Sequence, residues 1–343
     1  FNLTRYLGAL LLSTACSWFL TPEMKRIALA RGIVDRPRGR HIHAEPVPFL
    51  GGVAMYAAFF ITAVAFGRPD RNTLGLLTGG ALTVALGIAD DRAELRARHK
   101  LLGQIAAAVI VMLFGVKIEF VTNPFGGMVY LGVFSIPITV VWIVAFMNVV
   151  NFIDGLDGLA AGVSAIGSLA MAAAALGNHQ SRLAVLSLAL AGSALGFLRY
   201  NFNPAQIFMG DAGAMFLGFT IAGISAIGAL KTPATLVLAV PVIVMGVPVL
   251  DTAFAIFRRV RRGVPVSSRD CDHVHHRLLA MGMTQRQAVL TLYAVSAMLA
   301  ATACGVVAVD PRLGIGGTVT AFCALIIVGG RSGVLKSEMR RRD

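Results

Sequence analysis

Residues 133–176 read VFSIPITVVWIVAFMNVVNFIDGLDGLAAGVSAIGSLAMAAAAL and contain two apolar runs that are separated by an acidic break. The runs cover 133–153 and 158–176, and Asp154 and Asp157 lie in the break. An α-helix needs about 20 apolar residues to cross roughly 30 Å of hydrocarbon, so each run is long enough for one crossing. Because backbone groups cannot stay unpaired in lipid, both runs are predicted to be transmembrane helices.

The same pattern recurs along the whole chain. Of its 343 residues, 57% are hydrophobic and only 14% are charged, which is far more apolar than a water-soluble domain needs. We therefore predict one all-α polytopic membrane domain over 1–343, with a polar tail at 331–343 and a small β-hairpin between Lys117 and Gly132. The eleven predicted spans lie near 4–22, 49–66, 73–89, 100–116, 133–153, 158–176, 182–198, 212–229, 234–256, 287–306 and 312–330.

Positive charge is distributed unevenly between alternate loops. Of the 30 Lys and Arg residues, 23 fall in the segments 23–48, 90–100, 199–211, 257–286 and the tail. Loops rich in Lys and Arg stay in the cytoplasm, so the N-terminus is predicted to lie outside and the C-terminus inside. In a membrane protein, the net charge of +13 indicates orientation and anionic partners rather than a nucleic acid.

Acidic residues mark the predicted cytoplasmic ends of several spans. Asp90 and Asp91 end the third span, Asp154 and Asp157 follow the fifth, and Asp211 precedes the eighth. A carboxylate at the bilayer centre costs about 2.5–3.5 kcal/mol, so these groups need water, a cation or a partner. Carboxylates from different helix ends can converge on a hard cation, and with a phosphate substrate that cation would be Mg²⁺.

Two basic segments lie on the same predicted side. RDCDHVHHRLL at 269–279 and RPRGRHIHAEPVPFLGG at 36–52 combine arginine with histidine. Arginine forms charge-assisted hydrogen bonds to phosphate oxygens, and histidine can donate to phosphate or transfer protons. Together with the acids, these segments predict a diphosphate site at the cytoplasmic membrane boundary.

Other interpretations of these residues remain open at this point. The acids could be solvated surface groups, the arginines could contact anionic lipids, and HVHH could bind zinc, although it lacks the pair of histidines four residues apart. A transporter of another class would use acids near mid-span to relay protons. Asp251 is the main acid whose position fits that alternative.

Four motifs, in order along the chain, resemble those of the polyprenyl-phosphate N-acetylhexosamine-1-phosphate transferases. They are the Asp pair at 90–91, NFIDGLDGLAAG at 151–162, NPAQIFMGDAG at 203–213 and HVHHRLL at 273–279. The resemblance implies transfer of a sugar-1-phosphate from a UDP-sugar to polyprenyl phosphate, with release of UMP and a requirement for Mg²⁺, or Mn²⁺ in its place. It also implies a bacterial inner membrane, a cytoplasmic active site and a homodimer as the oligomer to consider.

The last motif resembles the branch that uses UDP-N-acetylglucosamine (UDP-GlcNAc) to begin cell-envelope polysaccharides. The branch that uses UDP-MurNAc-pentapeptide ordinarily has three consecutive histidines there, which this chain lacks. UDP-MurNAc-pentapeptide and other UDP-N-acetylhexosamines are the alternative sugar donors. One departure is Phe49, which stands where the family usually has arginine two residues before Gly51-Gly52. It leaves the role of the first cytoplasmic loop open.

The resemblance also implies roles for individual residues. The metal ligands would be Asp211, Asp91 and Asp154, and Asp90 would be the base. The catalytic residues would be Asp90, Asp91, Asp154 and His273. The substrate-binding residues would be Lys100, Asn151, Asp157, Asn201, Phe208, His275, His276, Arg277, Arg40, His41 and His43.

Overall fold

The computed structural model describes residues 3–35, 47–67, 69–122, 127–229, 234–261, 263 and 273–309. It is an all-α protein with two short antiparallel β-ribbons. The helices are α1 (Leu3–Ala30), α2 (Gly51–Gly67), α3 (Arg71–Ala93), α4 (Ala97–Leu113), α5 (Ser135–Ile153), α6 (Leu159–Gly177), α7 (Ser181–Asn201), α8 (Gly210–Ala229), α9 (Ala234–Val244), α10 (Gly246–Arg261), α11 (Val274–Ala280) and α12 (Gln285–Val309). The ribbons pair β1 (Val34–Asp35) with β2 (Val47–Pro48) and β3 (Phe120–Thr122) with β4 (Met128–Tyr130).

The predicted all-α membrane architecture is confirmed. Predicted spans one to eight coincide with α1 to α8, the tenth coincides with α12, and β3 and β4 form the predicted hairpin. Within the described residues, seven helices are long and apolar enough to cross a membrane, and the α9–α10 pair could make an eighth. The predicted count of eleven is therefore not established. The last predicted span, 312–330, and the tail lie outside the described residues.

The ninth span was predicted wrongly as a single helix over 234–256. The chain bends by 78° between α9 and α10, at Met245. Pro248 stands in the first turn of α10 and has no backbone N–H, so it cannot donate to the carbonyl of Val244 and continue the helix. The bend brings the second half of this apolar run to the side of α5.

Arginine contacts show which helix ends lie together on the face opposite the acids. Arg5 at the start of α1 donates two hydrogen bonds, of 3.0 and 2.6 Å, to the Phe66 carbonyl near the end of α2. Arg71 at the start of α3 donates one of 2.9 Å to the Leu113 carbonyl that ends α4. A cation is stabilised at a helix C-terminus, where carbonyls lack partners. Helices α1 and α2, and likewise α3 and α4, therefore run in opposite directions.

Helix α8 lies at the centre of the protein. Its residues from Ala212 to Ala229 are all buried, and α2, α3 and α5 pack around it. Small residues allow such close approach between membrane helices. At Gly87 of α3, a Cβ atom would overlap the backbone of Ala212. This close crossing brings the acidic end of α3 against the start of α8.

Candidate active site

Asp91 joins the end of α3 to the start of α8. Its two carboxylate oxygens accept hydrogen bonds from the backbone N–H groups of Asp211, at 2.9 Å, and Ala212, at 3.4 Å. The first N–H groups of a helix lack partners within the helix, so a carboxylate there is favoured. Gly210 precedes them with a φ of +68°, and a Cβ at this position would overlap the Asp91 carboxylate. Glycine at 210 is thus required for this contact.

Lys100 of α4 lies between two of the predicted acids. Its Nζ is 2.8 Å from an Asp90 oxygen and 2.6 Å from an Asp211 oxygen. Asp90 is only 8% exposed, and its other oxygen accepts a hydrogen bond of 2.8 Å from the Leu95 N–H. One ammonium group therefore bridges two carboxylates, a buried one from α3 and a partly exposed one from α8.

Asn151 brings α5 into the same group of side chains. Its Nδ2 donates a hydrogen bond of 2.5 Å to Asp211, and its Oδ1 accepts one of 3.4 Å from Lys100. Four predicted site residues from distant parts of the sequence are therefore linked by direct contacts, namely Asp90, Lys100, Asn151 and Asp211. We call these four residues and Asp91 the acid cluster.

Asp154 follows the last residue of α5 and lies beside the acid cluster. Burial raises the pKa of its carboxyl group to about 8, and the negative charges of Asp211 and Asp91 contribute to the rise. The site therefore has more negative charge than Lys100 neutralises. A further cation would relieve this excess by displacing the Asp154 proton.

The donor chemistry of these carboxylates fits Mg²⁺. In the part of the chain that the structure describes, no three acidic, histidine or cysteine side chains form a ready metal cage. Mg²⁺ does not need one, because it is usually held by one or two carboxylates, water and substrate phosphates. Asp211, Asp91 and Asp154 are the predicted ligands, and their assignment stays a prediction.

Asp157 and Asn201, predicted to bind substrate, make contacts that hold two loops together. One Asp157 oxygen accepts hydrogen bonds of 3.0 Å from both the Asn203 side chain and the Ala205 N–H. Asn201 accepts one of 3.1 Å from the Gly158 N–H and donates one of 3.0 Å to the Ile207 carbonyl. Their exposed fractions are 5% and 2%, so both side chains are turned into the protein.

Phe208 lies beside Phe49, the residue that departs from the family pattern. The two residues pair as a parallel β-bridge, in which the Phe208 N–H donates to the Pro48 carbonyl at 2.8 Å. The Gly51 N–H donates to the Phe208 carbonyl at 3.0 Å. The start of α2 is thereby attached to the loop before α8. Arg40, His41 and His43 lie outside the described residues.

His273 is held beside the end of α5 by two residues that the sequence did not predict to be site residues. Its Nδ1 is 2.9 Å from an Asp251 oxygen, and the other Asp251 oxygen accepts a 3.1 Å hydrogen bond from the Val274 N–H. The His273 ring stacks on Phe152, two residues before Asp154, with ring centres 6.1 Å apart. The sequence feature that could have revealed Asp251 was its position as an acid inside a predicted span. Phe152 had no comparable signal.

The other residues of the HVHHRLL motif lie in α11. His276 is exposed and Arg277 is half-buried. The backbone of His275 belongs to the same helix, but its side chain is not among the parts that the structure describes. The structure thus places the histidine motif beside α5 through His273, and it leaves the substrate contacts of the other three residues as predictions.

Comparison with known proteins identifies the family. The sequence model of glycosyl transferase family 4 matches residues 73–229. A probable undecaprenyl-phosphate N-acetylglucosaminyl 1-phosphate transferase of Bacillus subtilis is 40% identical over 294 residues, which cover 85% of this chain and 82% of the relative. The chain belongs to glycosyl transferase family 4.

Two further relatives have related names. The decaprenyl-phosphate N-acetylglucosaminephosphotransferase of Mycolicibacterium smegmatis is 36% identical over 330 residues, covering 86% of this chain and 80% of the relative. The undecaprenyl-phosphate alpha-N-acetylglucosaminyl 1-phosphate transferase of Escherichia coli K12 is 30% identical over 292 residues, covering 80% of this chain and 77% of the relative. The part matched by the family model contains the whole acid cluster, whereas Asp251, His273 and α12 follow it.

Proposed function

We propose that the protein transfers N-acetylglucosamine-1-phosphate from UDP-GlcNAc to a polyprenyl phosphate. The products are polyprenyl-diphosphate-N-acetylglucosamine and UMP, and the reaction begins the assembly of a cell-envelope polysaccharide. The main support is Lys100, which lies within 2.8 Å of carboxylates from α3 and α8 at the ends of apolar helices. Such a site can receive a lipid phosphate from the membrane and a nucleotide from water. The names of the similar proteins support N-acetylglucosamine as the sugar.

The location follows from the distribution of charge. The acid cluster lies at the helix ends where most Lys and Arg residues of the connecting segments are found, so this face is proposed to be cytoplasmic. The membrane would be the inner membrane of a bacterium. UDP-GlcNAc would then reach the site from the cytoplasm, and the polyprenyl chain would stay in the lipid.

In the proposed reaction, an oxygen of the lipid phosphate attacks the phosphorus that carries the sugar. A new phosphoanhydride bond forms, the bond between that phosphorus and UMP breaks, and UMP leaves. Asp90 is the proposed base for any proton on the lipid phosphate, and the Lys100 ammonium would contact phosphate oxygens. Mg²⁺ held by Asp211, Asp91 and Asp154 would neutralise the charge of the diphosphate.

The arrangement contributes mainly by placement. Phosphoryl transfer needs the attacking and leaving oxygens in line, and it needs positive charge where negative charge accumulates. Asn151 fixes the Asp211 side chain, while Asp91 fixes the start of α8. The proposed metal ligands Asp211 and Asp91 are therefore ordered before substrate binds. His273 would contact a substrate phosphate or the sugar from the α10–α11 side.

The transporter alternative depended on Asp251 as an acid near mid-span. In the structure this carboxylate contacts His273 and the Val274 N–H, and it lines one small cavity with Ile153, the residue before Asp154. It therefore belongs to the same region of the protein rather than to a separate path across the membrane. The contact favours the enzyme.

Purified protein should be incubated with radiolabelled UDP-GlcNAc, polyprenyl phosphate and Mg²⁺. We expect labelled lipid and UMP in equal amounts, with loss of both when the metal is chelated and recovery when Mg²⁺ or Mn²⁺ is returned. If neither product forms, the proposed function is wrong. A competition among UDP-sugars, including UDP-MurNAc-pentapeptide, tests the choice of sugar.

A further inference from the structure

The turn between α5 and α6, residues 154–158, is held by a helix that contributes nothing to the acid cluster. The Tyr293 hydroxyl of α12 donates a hydrogen bond of 2.5 Å to the Gly158 carbonyl. Its ring lies directly on the backbone of α6, since a Cβ at Gly162 would overlap the Tyr293 ring. The phenol is therefore fixed by packing as well as by its hydrogen bond.

A second set of contacts joins the same turn to the start of α12. The Asn203 side chain donates to an Asp157 oxygen at 3.0 Å and to Gln285 Oε1 at 2.8 Å. Arg286, the next residue of α12, donates from Nε to the Asn203 carbonyl at 3.0 Å. The turn, the loop after α7 and α12 thus form one hydrogen-bonded unit.

This unit can control the position of Asp154. Residues 154–158 lie between α5 and α6, and the helical ladder reaches the turn only at its end, where the Gly158 carbonyl also accepts a 2.9 Å hydrogen bond from the Gly162 N–H of α6 and Gly158 has a φ of +83°. Its far end is fixed by Tyr293 at the Gly158 carbonyl and by Asn201 at the Gly158 N–H. A displacement there moves Asp154 relative to Asp91 and Asp211, and a misplacement of about 1 Å can cost roughly 100-fold in rate.

We infer that α12 is a positioning element of the active site, in which Tyr293 and Gln285 hold the 154–158 turn so that Asp154 faces the acid cluster. The inference rests on the proposed transferase function. It concerns residues beyond 73–229, the part that the family model matches. Tyr293 and Gln285 are positioning residues, because they act through Gly158 and Asn203 and not on substrate.

Tyr293→Phe tests this inference because it keeps the ring against α6 and removes only the hydroxyl. We expect kcat to fall by about 10-fold or more, with a higher Mg²⁺ concentration needed for half-maximal activity and an unchanged KM for polyprenyl phosphate. The matched control is Thr291→Val on the same helix, whose hydroxyl donates to the Gln287 carbonyl of its own helix and to no other group among the described residues. The control should have the kinetics of the unmodified protein.

A second pair of variants displaces the ring instead of the hydroxyl. Gly162→Ala places a methyl group where the Tyr293 ring lies, whereas a Cβ at Gly167 of the same helix would meet, within the part of the chain that the structure describes, Val244 alone, at 3.7 Å. We expect Gly162→Ala to lower kcat at least as much as Tyr293→Phe, and Gly167→Ala to leave it unchanged.

Amide hydrogen exchange provides a readout that does not depend on catalysis. In Tyr293→Phe we expect the amides of residues 155–159 to exchange about 10-fold faster, with the amides of α8 unchanged. An unchanged kcat, or a fall in kcat without faster exchange in the turn, would overturn the inference. If the unmodified protein makes no lipid product while exchange still responds to the hydroxyl, the proposed function fails and the contact between α12 and the turn stands.

Discussion

At the scale of single residues, the site consists of carboxylates with different partners. Asp91 accepts hydrogen bonds from backbone N–H groups, and Asp90 and Asp211 both contact Lys100. Burial raises the pKa of Asp154 to about 8. The sequence predicted that these acids would meet, because all of them lie at helix ends on one side. It could not predict their partners, since these depend on which helices are neighbours. Identical carboxylates can therefore have different functions.

Asp211 is the carboxylate whose charge we expect to matter most. Asp211→Asn should lower transfer at least 100-fold, because the proposed metal loses a charged ligand and Lys100 loses one of its two partners. Asp90→Asn should also lose activity, but it should bind UDP-GlcNAc almost normally. Rates of UMP release and equilibrium binding of UDP-GlcNAc would be measured together. Near-normal transfer by Asp211→Asn at low Mg²⁺ would contradict the assignment.

Asp157 allows a test of the difference between holding a loop and binding a ligand. Both of its hydrogen bonds to Asn203 and Ala205 go to one oxygen, so Asp157→Asn keeps an oxygen acceptor while Asp157→Ala removes it. We expect the Asn variant to keep most activity and thermal stability, and the Ala variant to lose about 1–3 kcal/mol of stability. Equal loss of activity in both, with stability unchanged, would instead make Asp157 a ligand for metal or substrate.

At the scale of helices, a second polar layer lies one turn below the acid cluster. Gln104, Asn148 and Met215 are four, three and four residues from Lys100, Asn151 and Asp211. Asn148 donates a hydrogen bond of 2.9 Å to Gln104, whose Nε2 is 3.5 Å from the Met215 sulfur. Hydrogen bonds between membrane helices contribute about 0.6–2 kcal/mol each. The layer fixes α4, α5 and α8 relative to one another below the site.

We expect Gln104→Leu to lower both the melting temperature and kcat, because Asn148 loses its partner on α4 and Lys100 is no longer held in register. Ser225→Ala is the control, since it removes the 3.1 Å hydrogen bond from Trp142 that joins α5 to α8 away from the site. It should lower the melting temperature with little effect on kcat. If both variants affect kcat equally, the layer has no special relation to the acid cluster.

Helix positions were largely predictable, and their interruptions were not. Long apolar runs indicated α1 to α8 correctly, because a membrane crossing sets a minimum length. The bend at Met245 was missed, since Pro248 interrupts the hydrogen-bond ladder without interrupting the apolar composition. The bend matters for the site, because it brings Asp251 of α10 to His273.

At the scale of the whole molecule, the two faces of the protein use arginine differently. On the face opposite the acids, Arg5 and Arg71 are bonded to helix C-termini, and Arg182 pairs with Asp70. By sequence, most Lys and Arg residues fall in the segments that are predicted to connect the helices on the acidic face. This asymmetry supports the proposed orientation, with the acid cluster in contact with the cytoplasm.

Cysteine labelling would test this orientation. In a cysteine-free background, Tyr130→Cys on the β3–β4 ribbon should react with a membrane-impermeant maleimide in intact spheroplasts, because Tyr130 is 76% exposed and is predicted to lie outside. Met281→Cys, after α11, has an exposed fraction of 58% and should react only after permeabilisation. The reverse pattern would place the acid cluster outside the cell.

The most direct test of a single pocket for metal and diphosphate is an experimental structure of the protein with UDP-GlcNAc and Mn²⁺ in place of Mg²⁺. We expect the metal about 2.1 Å from an Asp211 oxygen, with the diphosphate bound to it and Lys100 turned towards a phosphate. A nucleotide bound elsewhere, with Lys100 still between Asp90 and Asp211, would contradict the account.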